Sequence, residues 1–373
     1  MGVDVDLLFP YAAAAGVEFT ERLVGQRPLF VCVIASTDTA LVPGISAAGV
    51  SAELIPFTAA ADAEVLAHGS ARCIPGVPSN PLGPPGPSII TLAALQLADI
   101  PHLIVNAGCR VGPDAPCVDL GGWPGGHIVD GRAVPDAAKL FDRARDLGME
   151  LAAKHPYLVI GESVPGGTTT ALAVLLALGI AADGRVSSSM AANAHGLKSR
   201  IAREALARLP SGLAARDPLG AVAVLGDPMQ AAAAGIAAGA LDGNVPVLLA
   251  GGSQMVAVLA LLRRIEALGR PHIPQGSVAV GTTRWVVDDP TADVVGLMGE
   301  VGGGPLIATT LSFADSSHAA LRRYEDFLVK EGVGAGGAAI AATLCAGITC
   351  AELLERTERI YERVRDGAPV PTP

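Results

Sequence analysis

Short runs of β-branched and aliphatic residues, each closed by Gly, Ser, Thr or Asp and followed by a helical stretch, constrain this chain most. The clearest are 29–36, 102–107, 157–161, 221–226, 245–250 and 277–280, with a further run at 306–313. Their near-continuous apolar character is what strands buried on both faces require, and such strands form parallel sheets covered by helices on both sides. Helical periodicity fills the intervals at 88–98, 136–154, 169–178, 197–209, 229–241 and 256–268. The spacing predicts an α/β fold: a doubly wound, mostly parallel sheet with helices on both faces. Residues 25–347 form its body. The chain ends, 1–24 and 348–373, add a small helical appendage.

In such sheets ligands sit beyond the carboxyl ends of the strands, so the turns after each strand are where chemistry is sought. They are rich in Gly and hydroxyls: GESVPGGTTT (161–170), Gly226-Asp-Pro, Gly251-Gly-Ser-Gln254 and Gly281-Thr-Thr-Arg284. A Pro-dense stretch at 75–87 excludes helix and central strand and reads as a linker or as a rigid loop over a site. The last five residues, PVPTP, read as a frayed tail after an amphipathic helix at 349–366.

Charge and hydropathy narrow the function classes. With 26 Lys+Arg against 36 Asp+Glu the net charge is −10, which excludes binding that depends on neutralising nucleic-acid phosphates. Mean hydropathy is high, +0.46, and three uncharged stretches (163–182, 244–262 and 332–351) approach membrane-spanning length. Each is interrupted by Gly, Ser, Thr or Gln, and a Gly-Gly-Ser-Gln break at mid-membrane depth strands backbone polar groups. The chain is therefore expected to be soluble. Asp4 and Asp6 near the start oppose a secretory signal, so a cytoplasmic location is expected. Six Cys without C-x-x-C spacing read as reduced thiols, and the His residues lack metal-ligand spacing, so neither a metal nor another cofactor is expected.

Residues 161–179 combine a Gly-rich turn, one acid and a helix that opens on threonines. Backbone amides at such a helix start form an anion site suited to a phosphate. Gly161 and Gly166 have Walker A spacing, but Gly167 stands where the phosphate-binding Lys is required. Farther along, Glu331 precedes a Gly-x-Gly-x-x-Gly run (Gly332, Gly334, Gly337). Its approach, RRYEDFLVK, is not a buried strand, which counts against a dinucleotide fingerprint. A carboxylate beside glycines that admit a ligand to the backbone suits a general base; a surface acid before a Gly-rich helix is the simpler reading. Lys198 falls in the first turn of a helix, against the dipole, where it either meets an anion or snorkels into solvent. The segment Trp285-Val-Val-Asp-Asp-Pro-Thr291 is read as a solvated loop in preference to an acidic ribose-binding loop.

Together these segments resemble the nicotinate-nucleotide:dimethylbenzimidazole phosphoribosyltransferase family, over about 157–345. The family's Gly-Glu-Met-Gly-Ile-Gly-Asn-Thr-Thr is similar to 161–169, its Gly-Glu-Gly-Ser-Gly-Ala-Ala to 330–336, and its Leu-x-x-Lys helix start to 196–198. The family's Gly-Arg-Gly-Thr-Gly segment is replaced by 187–193, and the N-terminal half resembles an archaeal and cyanobacterial branch. The resemblance implies phosphoribosyl transfer from nicotinate mononucleotide to a benzimidazole-type base in cobamide assembly. It implies Glu331 as general base, Glu162 on the ribose hydroxyls, and Gly166, Gly167, Thr168 and Lys198 on the 5′-phosphate. Gly332 and Gly334 are expected beside the substrate, with Ser317 or its neighbour Ser316 in contact with it. Small molecules are the expected partners, and the resemblance with the Ala-rich apolar fraction implies a homodimer. A nicotinamide-dependent oxidoreductase and a non-catalytic nucleotide-binding protein stay open as alternatives.

Overall fold

The computed structural model describes residues 6–48, 51–76, 78–80, 82–269 and 272–366. Asp4, the final PVPTP and two positions of the Pro-dense stretch, Val77 and Pro81, lie outside them. The strands are β1 Leu7–Tyr11, β2 Leu29–Ala35, β3 His102–Gly108, β4 Val118–Asp119, β5 Leu158–Ser163, β6 Val247–Ala250, β7 Val278–Thr283 and β8 Leu306–Thr309. They form one sheet in the order β1-β8-β7-β6-β5-β2-β3-β4. Every pairing is parallel except β1 with β8, which is antiparallel.

Alternation along the buried strands sends side chains into two separate cores. From β2, Leu29, Val31 and Val33 enter one core and Phe30, Cys32 and Ile34 the other. The first core is closed by helices that include Ala137–Ala152, Gly167–Ala177, Pro228–Asp242 and Ser253–Glu266. The second is closed by Ala13–Leu23, Thr58–His68, Ser88–Ala98, Ala335–Ala346 and Cys350–Arg365. This is the doubly wound α/β architecture expected. Close packing explains the abundance of small residues: a Cβ on Gly235 or Gly239 of Pro228–Asp242 would overlap carbonyl oxygens of the facing helix Ala137–Ala152. No helix among the described residues is long and apolar enough to cross a membrane.

Two local expectations are corrected. Of residues 221–226, read as a strand, 221–225 belong to the helix Pro218–Leu225 and Gly226 caps its end. Asp217 caps it by accepting from the Gly220 amide at 2.8 Å, and Pro218 occupies the first turn. A short apolar run looks alike in a buried strand and a buried helix, and the Asp-Pro start was the discriminating signal. The N-terminal 24 residues, expected to be helical, include strand β1, whose Leu7 and Leu8 pair with Thr309 and Ala308 at the sheet edge.

Candidate functional site

The strand order reverses at β2. From it the chain runs to β3 and β4 on one side, then returns to β5 on the other, and the crevice beyond such a reversal is where open α/β sheets bind ligands. A cleft of about 1020 Å³, open mouth included, lies there. It is lined by 45–48 after β2, 162–168 after β5 and 252–254 after β6, together with 187–190 and 329–333. Pro78, Ser79, Asn80, Gly86 and Pro87 of the Pro-dense stretch form part of its wall, as a loop over a site would.

Glu331 faces this cleft and is gripped on both oxygens. Oε2 accepts from the Thr283 amide at 3.0 Å and the Thr282 hydroxyl at 3.2 Å, while Oε1 accepts from the amides of Gly332 at 3.1 Å and Gly336 at 3.2 Å. Burial raises its pKa to about 7 even though these donors favour the charged form. Glu162, at the end of β5, accepts from the Gln254 amide group at 2.9 Å and the Val164 N–H at 3.0 Å. Burial first, then the charges of Asp227 and Glu331, push its pKa well up.

Gly166 takes a left-handed conformation (φ +79°) and caps the helix Gly167–Ala177, with Gly166, Gly167 and Thr168 all on the cleft wall. A side chain at Gly167 would overlap the amide of Gln254, so glycine lets Gln254 reach across to Glu162. Of the other threonines of this turn, Thr170 donates to Asp227 at 2.5 Å, and Thr169 is buried with its hydroxyl unpartnered. Gly332 lines the cleft.

Three expected contacts are not brought to the cleft. Lys198 is fully buried one layer behind the wall and donates from Nζ to the Ser188 hydroxyl at 2.5 Å, so it acts through Ser188. Burial and the Lys330 charge bring its pKa down to about 8, against the pull of Asp289. Gly334 sits against other backbone: a Cβ there would lie 2.8 Å from the Gly161 Cα and 3.1 Å from the Ala250 Cβ. Its glycine admits a strand to the helix start, not a ligand. Ser317 is exposed, and its amide and hydroxyl both donate to Glu358, as does the hydroxyl of Ser316. Glu358 belongs to the C-terminal helix Cys350–Arg365, away from the cleft lining.

Sequence reading missed the group that holds the cationic end together. Asp289, read as part of a solvated loop, is 3% exposed and forms a 2.5 Å ion pair with Lys330, itself 1% exposed. Asp289 also accepts from Ser187 at 2.6 Å, Asn193 at 2.9 Å and Thr291 at 2.8 and 2.9 Å. Burial alone would raise its pKa, but Lys330, Ser187 and Thr291 bring it down to about 2. Asn193 in turn accepts from the Ser188 amide and hydroxyl, so the network shapes the 187–193 loop along the cleft. With both lysines protonated, Lys330 and Lys198 outnumber Asp289 in this cluster by one charge, and Glu162 and Glu331 are carboxylates of the cleft lining. Asp62 was missed too; two acids within the Ala-rich run 59–66 were the available signal.

No family model matches the chain. It is 47% identical over 373 residues to a UPF0284 protein of Gloeobacter violaceus, spanning 98% of this chain and 96% of that protein. It is 41% identical over 351 residues to one from Methanothermobacter thermautotrophicus, spanning 93% and 96%. A third, from Sulfurisphaera tokodaii, is 43% identical over 340 residues, spanning 91% and 94%. Among solved structures, two from Thermus thermophilus share the fold. One, a nicotinate-nucleotide-dimethylbenzimidazole phosphoribosyltransferase, has a TM-score of 0.56 at 18% identity and spans 91% of this chain and 88% of that one. The other, CobT, has a TM-score of 0.58 at 19% identity, spanning 94% and 92%.

Proposed function

The chain belongs to the UPF0284 family, and from that premise we propose that it transfers the phosphoribosyl group of nicotinate mononucleotide to a benzimidazole-type base. The products would be nicotinate and an α-ribazole 5′-phosphate. One observation carries the reading. A single carboxylate, Glu331, is held by four donors in the same cleft as the helix start at 166–168, with its pKa brought to about 7.

That arrangement suits this reaction. The nicotinate ring of the donor is already cationic, so the bond from its nitrogen to C1′ breaks with the electron pair returning to the ring, without an acid to protonate the leaving group. The acceptor's unprotonated ring nitrogen attacks C1′ from the opposite face, and its N–H proton passes to Glu331. A base whose pKa lies near the working pH is ionised enough to accept that proton. Gly166, Gly167 and Thr168, with Ser188 backed by Lys198, form the polar end suited to the 5′-phosphate. Glu162 is the group suited to the ribose hydroxyls.

The dinucleotide alternative is disfavoured by packing. A Cβ on Gly334 or Gly337 would press on Ala250, and one on Gly336 would overlap the Thr282 backbone, so this run is filled by protein where a pyrophosphate would have to sit. The deciding experiment is nicotinate release from nicotinate mononucleotide by the purified protein, with a panel of benzimidazoles, adenine and phenols as acceptors. Acceptor-dependent release is expected; no release with any acceptor refutes the reading.

A further inference from the structure

The Pro-dense stretch closes on itself before it meets the rest of the chain. The Asn80 N–H donates to the Pro84 carbonyl at 2.9 Å, the Gly83 N–H to the Asn80 carbonyl at 2.9 Å and the Gly86 N–H to the Pro78 carbonyl at 2.6 Å. Proline supplies no amide donor, so a loop this rich in it depends on the few donors left to it, or on donors from outside, to hold it in place. One comes from outside. Tyr324, fully buried and packed on Trp285 and Phe313, donates its hydroxyl to the Pro85 carbonyl at 2.8 Å.

Asn80 supplies another from within. It is 7% exposed, and both polar atoms of its side chain are spent on protein. Oδ1 accepts from the Leu82 amide at 2.9 Å, while Nδ2 donates to the Leu328 carbonyl at 2.9 Å and, at a longer 3.4 Å, to the Ser189 carbonyl. Both acceptors adjoin the proposed base: Leu328 shortly precedes Glu331 in the chain, and the Ser189 hydroxyl donates to the Glu331 carbonyl at 3.1 Å. On the helix that the loop leads into, the Thr91 hydroxyl donates to the Val333 carbonyl at 2.9 Å. Between these ties Pro87 lies against Gly332, where a Cβ would stand 2.9 Å from the proline Cγ. Asn80, Pro87, Glu331 and Gly332 all line the cleft, so the seat of the loop decides how much room is left beside the carboxylate.

We infer that Asn80 is a positioning residue for the acceptor: by tying the Pro-dense loop to the Leu328 carbonyl it limits the width of the space beside Glu331, so that this site takes a two-ring nitrogen heterocycle in preference to a three-ring one. It acts through the loop and Pro87, without touching the substrate. The inference rests on the phosphoribosyl-transfer reading for the word acceptor, but its test does not require turnover.

The matched probes are benzimidazole and naphtho[2,3-d]imidazole, which carry the same azole N–H and differ by one fused ring. Equilibrium binding of each, and of nicotinate mononucleotide, is measured on the full chain by calorimetry for wild type, Asn80→Ala, Asn80→Asp and, as a control in the same loop, Leu82→Ala, whose side chain is exposed. Wild type is expected to favour the two-ring probe. Asn80→Ala should cut that preference by about tenfold, the worth of one hydrogen bond. The near-isosteric Asn80→Asp, which keeps the fold if the alanine does not, retains the acceptor for the Leu82 amide but loses the donor to Leu328, and should cut it as far; Leu82→Ala should leave it unchanged. Nicotinate mononucleotide should bind all four proteins alike. A purely structural Asn80 would instead lower the melting temperature and weaken all three ligands together, with the ratio between the probes unmoved. No preference in wild type, the same ratio in wild type and both Asn80 variants, or failure of both probes to bind overturns the inference, even where nicotinate release upholds the transfer reading. An Asn80-dependent preference with no nicotinate release would refute the transfer reading and leave Asn80 as the residue that sets the width of the cleft.

Discussion

Replacing Glu331 by Gln removes the proposed base while keeping its size. Two effects on folding oppose each other. The amide has one acceptor oxygen where the carboxylate has two, so one of the donors now served, the Thr283 N–H or the Gly332 and Gly336 pair, faces an NH₂ group; an unmet buried donor costs about 1–3 kcal/mol. Against this, burial raises the carboxyl pKa from 4.5 to about 7. The raised folded-state pKa favours the protonated form, so the stability it contributes is complete below pH 4.5 and lost as pH rises through 7. Above that pH, ionised Glu331 disfavours folding by about 3 kcal/mol, at 1.36 kcal/mol per pKa unit. Glutamine carries no such cost, so the two terms nearly cancel and Glu331→Gln should melt close to wild type at about pH 8. Activity should not survive as well: losing a positioned base lowers kcat by about 10²–10⁴. The assay is nicotinate release followed from about pH 5 to 9. Wild type should gain about tenfold per pH unit below 7 and level off above it, because only the ionised carboxylate accepts the proton, whereas the variant should be flat across that window. Wild-type rates in the variant, or the same pH profile in both proteins, would refute the assignment.

Three further outcomes follow from the packing. Gly334→Ala places a side chain at φ +68° and 2.8 Å from the Gly161 Cα, and should lower stability by about 2–4 kcal/mol in chemical denaturation, strain and overpacking together. Lys330→Met leaves Asp289 buried without its cation and should cost about 3–5 kcal/mol, read from a urea midpoint at about pH 7. Gly167→Ala displaces the flexible end of Gln254 from Glu162; thermal stability should change little, while binding of nicotinate mononucleotide weakens by about tenfold, the worth of one hydrogen bond near the cleft.

Much of the fold is legible in sequence because strands buried on two faces cannot hide their composition. The runs at 29–36, 102–107 and 245–250 lie on β2, β3 and β6, and the Gly- and hydroxyl-rich turns after β5 and β6 are where the cleft forms. The run at 221–226 misleads because period alone cannot separate a short buried strand from a short buried helix. Strand β1 is missed because its partner, β8, lies about 300 residues away and no local signal encodes an edge pairing.

Chemical type and position in the chain thus determine that Glu162, the 166–168 turn and Glu331 belong to strand-end loops or their neighbours, since a carboxylate and a glycine turn carry the same local meaning wherever they occur. Which charged groups face the cleft is decided only by three-dimensional packing. Lys198 lies behind Ser188, Lys330 meets Asp289, Ser317 turns to the C-terminal helix, and Asp62 enters from a helix far away in sequence. Burial, pairing and the resulting pKa shifts depend on neighbours brought together through space, and those neighbours come from segments that one another's sequence does not announce.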